Sequence, residues 1–274
     1  MKSDEIDFVA EVARAAAGLH VDRGQIYLLE SRLGPVARRE GYGSIREMLI
    51  AARQRREERL LWAVVEALAY GETCFFRDLP VFTRFRDEML PALLHNRGDG
   101  APLRVWSAGC GSGQEAYSVA LSVEDAGAGA TPGGVDILGS DLSDRLLEKA
   151  QAGIYTQFEI QRGLPIRQLV RHFEKRDELW ALSPRIRSMV RWKRVNLCGD
   201  FKSLGRFDAI FCRNVLCRME GQPMAKALEQ LAAALNPGGF LVLGADEAPG
   251  IMGGELQALD GGVYRLDPRF RAAA

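Results

Sequence analysis

The chain has 274 residues, 47% of them hydrophobic, enough to bury one large or two smaller cores. Lysine plus arginine number 36 and aspartate plus glutamate 36, a balance that argues against a protein built mainly to bind nucleic acid or an anionic membrane. No apolar run approaches the ~20 residues of a membrane span, the acidic opening Met1-Lys2-Ser3-Asp4-Glu5 is no signal peptide, and five cysteines scattered without a C-x-x-C pair fit reduced thiols and no metal. The expectation is a soluble, cytoplasmic protein.

Up to about residue 72 the pattern is helical. Apolar residues at helical spacing, such as Ile26, Leu29 and Leu33 or Leu60, Leu61, Val64 and Leu68, predict helices over 6–18, 25–36, 44–53 and 57–70. Glycines 18, 34, 41 and 43 punctuate them, and Ser44 followed by Glu47 resembles a capping box. Arg53, Arg55, Arg56 and Arg59 cluster with only Glu57 and Glu58 between them. They form either a solvated helix face or a docking surface for an acidic partner. From residue 101 the pattern alternates, with strands predicted at 103–107, 136–140, 190–195, 207–212, 238–244 and 262–266, and a short connection at 126–134. The last two strands flank a turn, Asn236-Pro237-Gly238-Gly239, and a glycine-rich loop at 253–254. The fold class is α/β: a mostly parallel, Rossmann-like sheet with helices on both faces, preceded by an all-α N-terminal domain. The boundaries expected are a helical domain at 1–72, a linker and first helix at 73–100, and the sheet domain at 101–274.

The turn between the first strand and its helix narrows the ligand. It reads Gly109-Cys110-Gly111-Ser112-Gly113-Gln114-Glu115, and its glycines let the backbone turn sharply and approach a ligand closely. The next strand ends at Asp141, about thirty residues on, where a carboxylate can accept hydrogen bonds from ribose hydroxyls. Glu115 at the head of the helix would repel a diphosphate and attract an ammonium or sulfonium. S-adenosylmethionine carries both cations and no phosphate, so it is favoured over a nicotinamide dinucleotide. Glu115 as a plain complement to the helix dipole is the competing account.

Further motifs carry a resemblance. Glu72-Thr73-Cys74-Phe75-Phe76-Arg77-Asp78 resembles the N-x-T-x-F-F-R signature of the chemotaxis-receptor methyltransferase (CheR) family. Ser140-Asp141-Leu142-Ser143, Leu147-Glu148-Lys149-Ala150, Gly153-Ile154-Tyr155, Val195-Asn196-Leu197 and the run from Phe207 to Leu216 (FDAIFCRNVL) continue it in register. The resemblance implies S-adenosylmethionine-dependent methylation of glutamate side chains on the cytoplasmic helices of chemoreceptors, giving γ-glutamyl methyl esters and S-adenosylhomocysteine. It implies that Thr73 and Arg77 touch the cofactor, Arg77 near the reacting end. Glu115 holds the methionyl amino group, Asp141 the ribose, Asn196 and Leu197 border the adenine, and Arg213 and Asn214 lie beside the methionyl part. Phe75 and Phe76 are expected to wedge between two domains. A glutamate carboxylate is ionised at pH 7 and needs no general base, in keeping with only three histidines, at 20, 95 and 172, none inside a motif.

Two departures stand out. The family's linker asparagine falls at Gly71, and Arg218 stands where a tyrosine is usual near the transferred methyl. Arg218 is therefore a candidate catalytic group that receives the substrate carboxylate, or a sign of weakened catalysis. The alternative function is a family member that binds S-adenosylmethionine or its product and signals by protein contacts. A helix at 166–172 and a tight hairpin at 173–182 mark the family's small antiparallel insertion, about 156–189. Its short turn Lys175-Arg176-Asp177-Glu178 lacks glycine and resembles members that bind receptors without a C-terminal peptide tether.

Overall fold

The computed structural model describes residues 1–55, 57–69, 71–97, 101–130, 133–248 and 256–269. Four helices open the chain: α1 (Ser3–Ala17), α2 (Ile26–Arg39), α3 (Ile45–Arg55) and α4 (Glu58–Ala69). They enclose an apolar cluster of their own, with Val9, Leu33, Met48, Leu60 and Val65 fully buried. Helix α2 passes through Pro35 to Arg39, beyond the predicted end at 36, because its buried stripe of Leu29, Leu33, Val36 and Ala37 outweighs one lost backbone donor. At the start of α3 the Ser44 hydroxyl accepts from Glu47 N at 3.2 Å, but the Glu47 carboxylate accepts from Gly43 N, so the capping box is shifted by one residue on that side.

Past the linker come α5 (Leu79–Arg84) and α6 (Leu90–His95), then β1 (Leu103–Ala108), α7 (Gln114–Asp125), β2 (Val135–Asp141) and α8 (Asp144–Ala152). The insertion holds β3 (Ile154–Thr156), α9 (Gln157–Gln161), α10 (Ile166–His172), β4 (Phe173–Arg176), β5 (Leu179–Leu182) and α11 (Pro184–Arg187). The chain returns as β6 (Val190–Arg194), β7 (Phe207–Cys212), α12 (Gly221–Ala233), β8 (Leu235–Leu243), β9 (Leu256–Ala258) and β10 (Val263–Leu266).

The main sheet has seven strands in the order β6-β2-β1-β7-β8-β10-β9. The first five run parallel, while β10 pairs antiparallel with β8 and with β9. All six predicted strands are present, and β9 is a seventh that its three short residues did not announce. Side chains alternate between two faces: Val105, Phe211 and Val242 pack with Tyr117 and Val119 of α7, while Trp106, Ile210 and Leu241 pack with Leu228 and Leu231 of α12. Each such buried aliphatic or phenyl group contributes roughly 1.5–3 kcal/mol. The predicted turn 236–239 is instead an irregularity inside β8, where Phe207 pairs with Leu235 and Ala209 with Phe240. The glycine loop predicted at 253–254 lies outside the described residues.

The hairpin β4–β5 forms where expected and pairs with β3 in a three-stranded antiparallel sheet, β3-β5-β4. Phe75 meets Tyr155 of this insertion edge-on at 5.0 Å and Phe173 at 5.6 Å, and Phe76 meets Phe82 at 5.4 Å. Both phenylalanines belong to the apolar cluster of the sheet unit, not to that of the helical unit. The expected interdomain wedge is thus an anchor of the linker on the sheet side, since their aromatic partners among the described residues lie there.

Candidate functional site

From β1 the strand order runs outward through β2 to β6, then the chain crosses back to place β7 on the other side of β1. Open α/β sheets bind ligands outside the carboxyl ends of the strands at such a reversal. A cavity lies there, lined from the strand ends, the linker and the helical unit. Thr73, Arg77, Gly109, Glu115, Asp141, Asn196, Leu197, Arg213, Asn214 and Arg218, ten residues spread over 146 positions of sequence, all line it.

The glycine loop is shaped by crowding. Gly109, Gly111 and Gly113 all take left-handed conformations (φ 75°, 57° and 94°). A Cβ on Gly109 would fall 2.5 Å from Val215 Cγ2, and one on Gly113 would fall 2.8 Å from Ala150 Cβ. Thr73 of the linker sits over Gly111, its Cγ2 3.2 Å from where a Cβ would lie. Gly109 N and Cys110 N both donate to Ser140 O, which ties the loop to the end of β2.

Two carboxylates point into this space. Asp141 accepts from Gly111 N at 2.9 Å and Ser143 N at 3.0 Å. Burial pushes its carboxyl above the ordinary aspartate range, opposed by the backbone N–H groups of Ser143, Gly111 and Leu142. Glu115 accepts from Ser107 Oγ at 2.8 Å and stands 3.8 Å from Arg213 Nη1. Burial raises its carboxyl too, against the pull of Arg213.

Arg213, at the end of β7, is buried and faces the linker: Nη1 donates to Arg77 O at 2.7 Å and Nη2 to the Asp78 carboxylate. That bond secures a stretch in which Phe76 and Asp78 both take left-handed φ values without being glycine, a local strain that surrounding contacts must hold. Arg77 itself is exposed at the cavity rim, with Nη1 donating to Glu72 O at 3.2 Å; Glu72 in turn pairs with Arg162 at 2.8 Å.

Asn196 lines the cavity while its side chain bridges units, Nδ2 donating to Ala16 O of α1 at 2.7 Å and Oδ1 accepting from Cys198 N. Asn214 has φ 60°, and its side-chain oxygen is buried without a hydrogen-bond partner among the described residues. Arg218 lines the cavity with both terminal nitrogens donating to the carbonyls of Leu68 and Ala69.

One organising residue escaped the sequence reading. Buried Glu247, just past β8, accepts from Asn214 N (2.8 Å), Gly244 N (2.7 Å) and Cys217 N (2.8 Å), and so fixes the turns after β7 and β8. An acid shortly after a parallel strand was the available signal, but only the fold brings its three donors together. Of the histidines, His20 Nδ1 lies 2.7 Å from Glu220 Oε2 and His172 is buried; none lines the cavity.

A family model described as CheR methyltransferase, SAM binding domain, matches residues 71–257. Chemotaxis protein methyltransferase 1 of Pseudomonas aeruginosa is 37% identical over 235 residues, 84% of this chain and 85% of that protein. Chemotaxis protein methyltransferase Cher2 of Pseudomonas putida is 35% identical over 237 residues, 85% and 86% of the two chains. Chemotaxis protein methyltransferase 1 of Vibrio cholerae is 36% identical over 235 residues, 84% of each. A mostly parallel sheet with a glycine loop, two carboxylates lining the cavity and this match defines an S-adenosylmethionine-dependent methyltransferase. The chain belongs to the CheR methyltransferase family.

The cavity fits the cofactor this family uses. The left-handed glycines let the loop backbone itself form the cavity wall, packed against Val215 and Thr73, the two acids suit an ammonium and a ribose, and the Asn214 oxygen, without a partner among the described residues, is an acceptor for a ligand donor.

Proposed function

We propose that this protein methylates glutamate side chains on the cytoplasmic helical region of chemotaxis receptors, forming glutamyl methyl esters. Asp141 would hold the ribose, Glu115 the methionyl ammonium, Gly109 the close approach of the loop, and Asn214 and Arg213 the methionyl end. Asn196 and Leu197 would border the adenine, and Thr73 the cofactor beneath the linker. The cofactor supplies an electrophilic methyl on a sulfonium. That methyl would pass to the acceptor carboxylate, which needs no proton transfer because its negative charge would cancel the sulfonium's.

The observation that carries the choice of acceptor is Arg77, a guanidinium exposed at the cavity rim where an anionic side chain must enter. Aligning carboxylate oxygen, methyl and sulfur in line is then the main source of rate, an effect that reaches ~7–11 kcal/mol in favourable cases. The relatives named as chemotaxis methyltransferases support the same acceptor. The helical unit, residues 1–72 by the sequence boundary, would meet the receptor. The edge strand β4 supports binding without a peptide tether: Glu174, Lys175 and Arg176 are exposed charges, Glu174 pairs with Arg176 at 2.9 Å, and charged edges resist strand addition.

The test uses cofactor labelled on the methyl group and membranes carrying the receptor. Base treatment should release labelled methanol, and Arg77→Ala should raise the apparent receptor KM. Label that stays base-stable would point to an acceptor other than a carboxylate, and no transfer at all beside normal S-adenosylhomocysteine binding would favour the binding-protein alternative.

A further inference from the structure

We infer that Gly71 and Arg218 act as one coupled pair that closes the helical unit over the cavity, making Arg218 a positioning residue for the cofactor. The inference rests on the cofactor reading of the cavity. Arg218 ends a single 3-10 turn (Leu216–Arg218) shortly after Arg213 and Asn214, the residues that follow β7. Its two terminal nitrogens donate to Leu68 O and Ala69 O, carbonyls at the end of α4 that a helix leaves without internal partners. A cation is favoured at that negative helix end, and Arg32 Nη1 donates to the same Leu68 O at 2.8 Å. The backbone repeats the join: His20 N donates to Arg218 O at 2.8 Å, and Leu19 forms a bridge with Met219. The segment after β7 is therefore fastened to both α4 and the connection following α1.

Gly71 lies two residues beyond the end of α4 and starts the linker that carries Thr73 onto Gly111. Its backbone is not left-handed, so conformation does not demand glycine there. Space favours it: a Cβ on Gly71 would lie 3.0 Å from Arg218 Nη1, the one heavy atom within 4 Å of it among the described residues beyond its chain neighbours. The guanidinium occupies the volume that a side chain at 71 would need. The two departures from the family pattern are thus one exchange, a side chain removed from the linker and a longer one supplied from the strand end. With both terminal nitrogens engaged at the helix end, the geometry favours the strut over the acceptor clamp.

A four-protein cycle tests the coupling: parent, Gly71→Asn, Arg218→Tyr and the double variant, each assayed for S-adenosylhomocysteine affinity by calorimetry and for methyl transfer at saturating cofactor. Contacting residues show strong non-additivity, so Gly71→Asn should weaken binding about tenfold or more beside Arg218 and less than about threefold beside Tyr. Arg218→Lys, which keeps the charge and some donors, should retain part of the affinity lost in Arg218→Ala. If Gly71→Asn fails to fold, by far-UV circular dichroism, the smaller Gly71→Ala carries the same cycle with the same sign. Equal losses in both backgrounds would overturn the pairing. So would an unchanged cofactor affinity in Arg218→Tyr with a raised receptor KM, which would return Arg218 to the acceptor. Failure of the parent itself to bind S-adenosylhomocysteine would remove the cofactor reading, an outcome distinct from binding without coupling.

Discussion

Glu115 and Asp141 are carboxylates that burial makes costly to ionise, and a cationic, hydroxyl-bearing cofactor held as proposed would relieve that cost. The folded Glu115 carboxyl lies above its ordinary 4.5 and that of Asp141 above 3.8. In the free protein, each group's contribution to stability is full below those values and is lost as pH rises through the higher folded ones. Cofactor binding has the opposite sign, because an ammonium prefers the ionised acid. S-adenosylhomocysteine affinity should therefore rise with pH over a window that opens above pH 4.5 for Glu115. Calorimetry across that window should show a flatter rise in Glu115→Gln, and an equally steep one would return Glu115 to the helix dipole. Asp141→Ala should weaken S-adenosylmethionine and S-adenosylhomocysteine alike, by about 1.5–3 kcal/mol for a charge-assisted bond. The same change frees Gly111 N and Ser143 N, so some loss of thermal stability should accompany it.

The linker 71–78 is held from three sides: Arg213 on Arg77 and Asp78, Ser118 Oγ accepting from Phe76 N at 2.8 Å, and the insertion pressing on Phe75. Gly163 is the tightest point of that press. It has φ 90°, and a Cβ there would fall 2.1 Å from Phe75 O, a backbone atom that cannot swing aside. Gly163→Ala should cost at least about 2 kcal/mol, from left-handed strain plus the forced shift. The urea midpoint should fall, and S-adenosylhomocysteine should bind more weakly because Phe75 and Thr73 share the linker. An unchanged midpoint would show that the insertion does not brace the linker. The motif T-x-F-F-R was plain in the sequence, yet nothing in it told that both rings pack toward the sheet, because the rings that receive them, Tyr155, Phe173 and Phe82, come from three separate segments.

At the scale of the whole molecule the two units meet at the cavity and leave the arginines of α3 and α4 outside it. Arg53 lies over the Phe8 ring at 5.6 Å and Arg59 pairs with Glu40, so two of the four are engaged within the helical unit. Arg55 is exposed, and Arg56 lies outside the described residues. If this face meets an acidic receptor bundle, methylation should fall as salt rises, since exposed pairs are screened over ~8–10 Å at 0.1–0.15 M. Arg55→Glu should raise the receptor KM and leave cofactor affinity alone. An unaltered KM would leave the cluster as a solvated face.

By itself the sequence determined the α/β class, six of the seven sheet strands, the helical opening, the glycine loop and two acids that line the cavity, because periodicity, glycine turns and short motifs are local. It also marked Gly71 and Arg218 as departures, separately and 147 positions apart. Only the tertiary structure decided that they touch, that the turn at 236–239 is a kink within a strand, and that Glu247 gathers three backbone donors. These are matters of packing and strand register, which depend on which distant backbone groups are brought within about 3 Å of each other, and no local pattern encodes that distance.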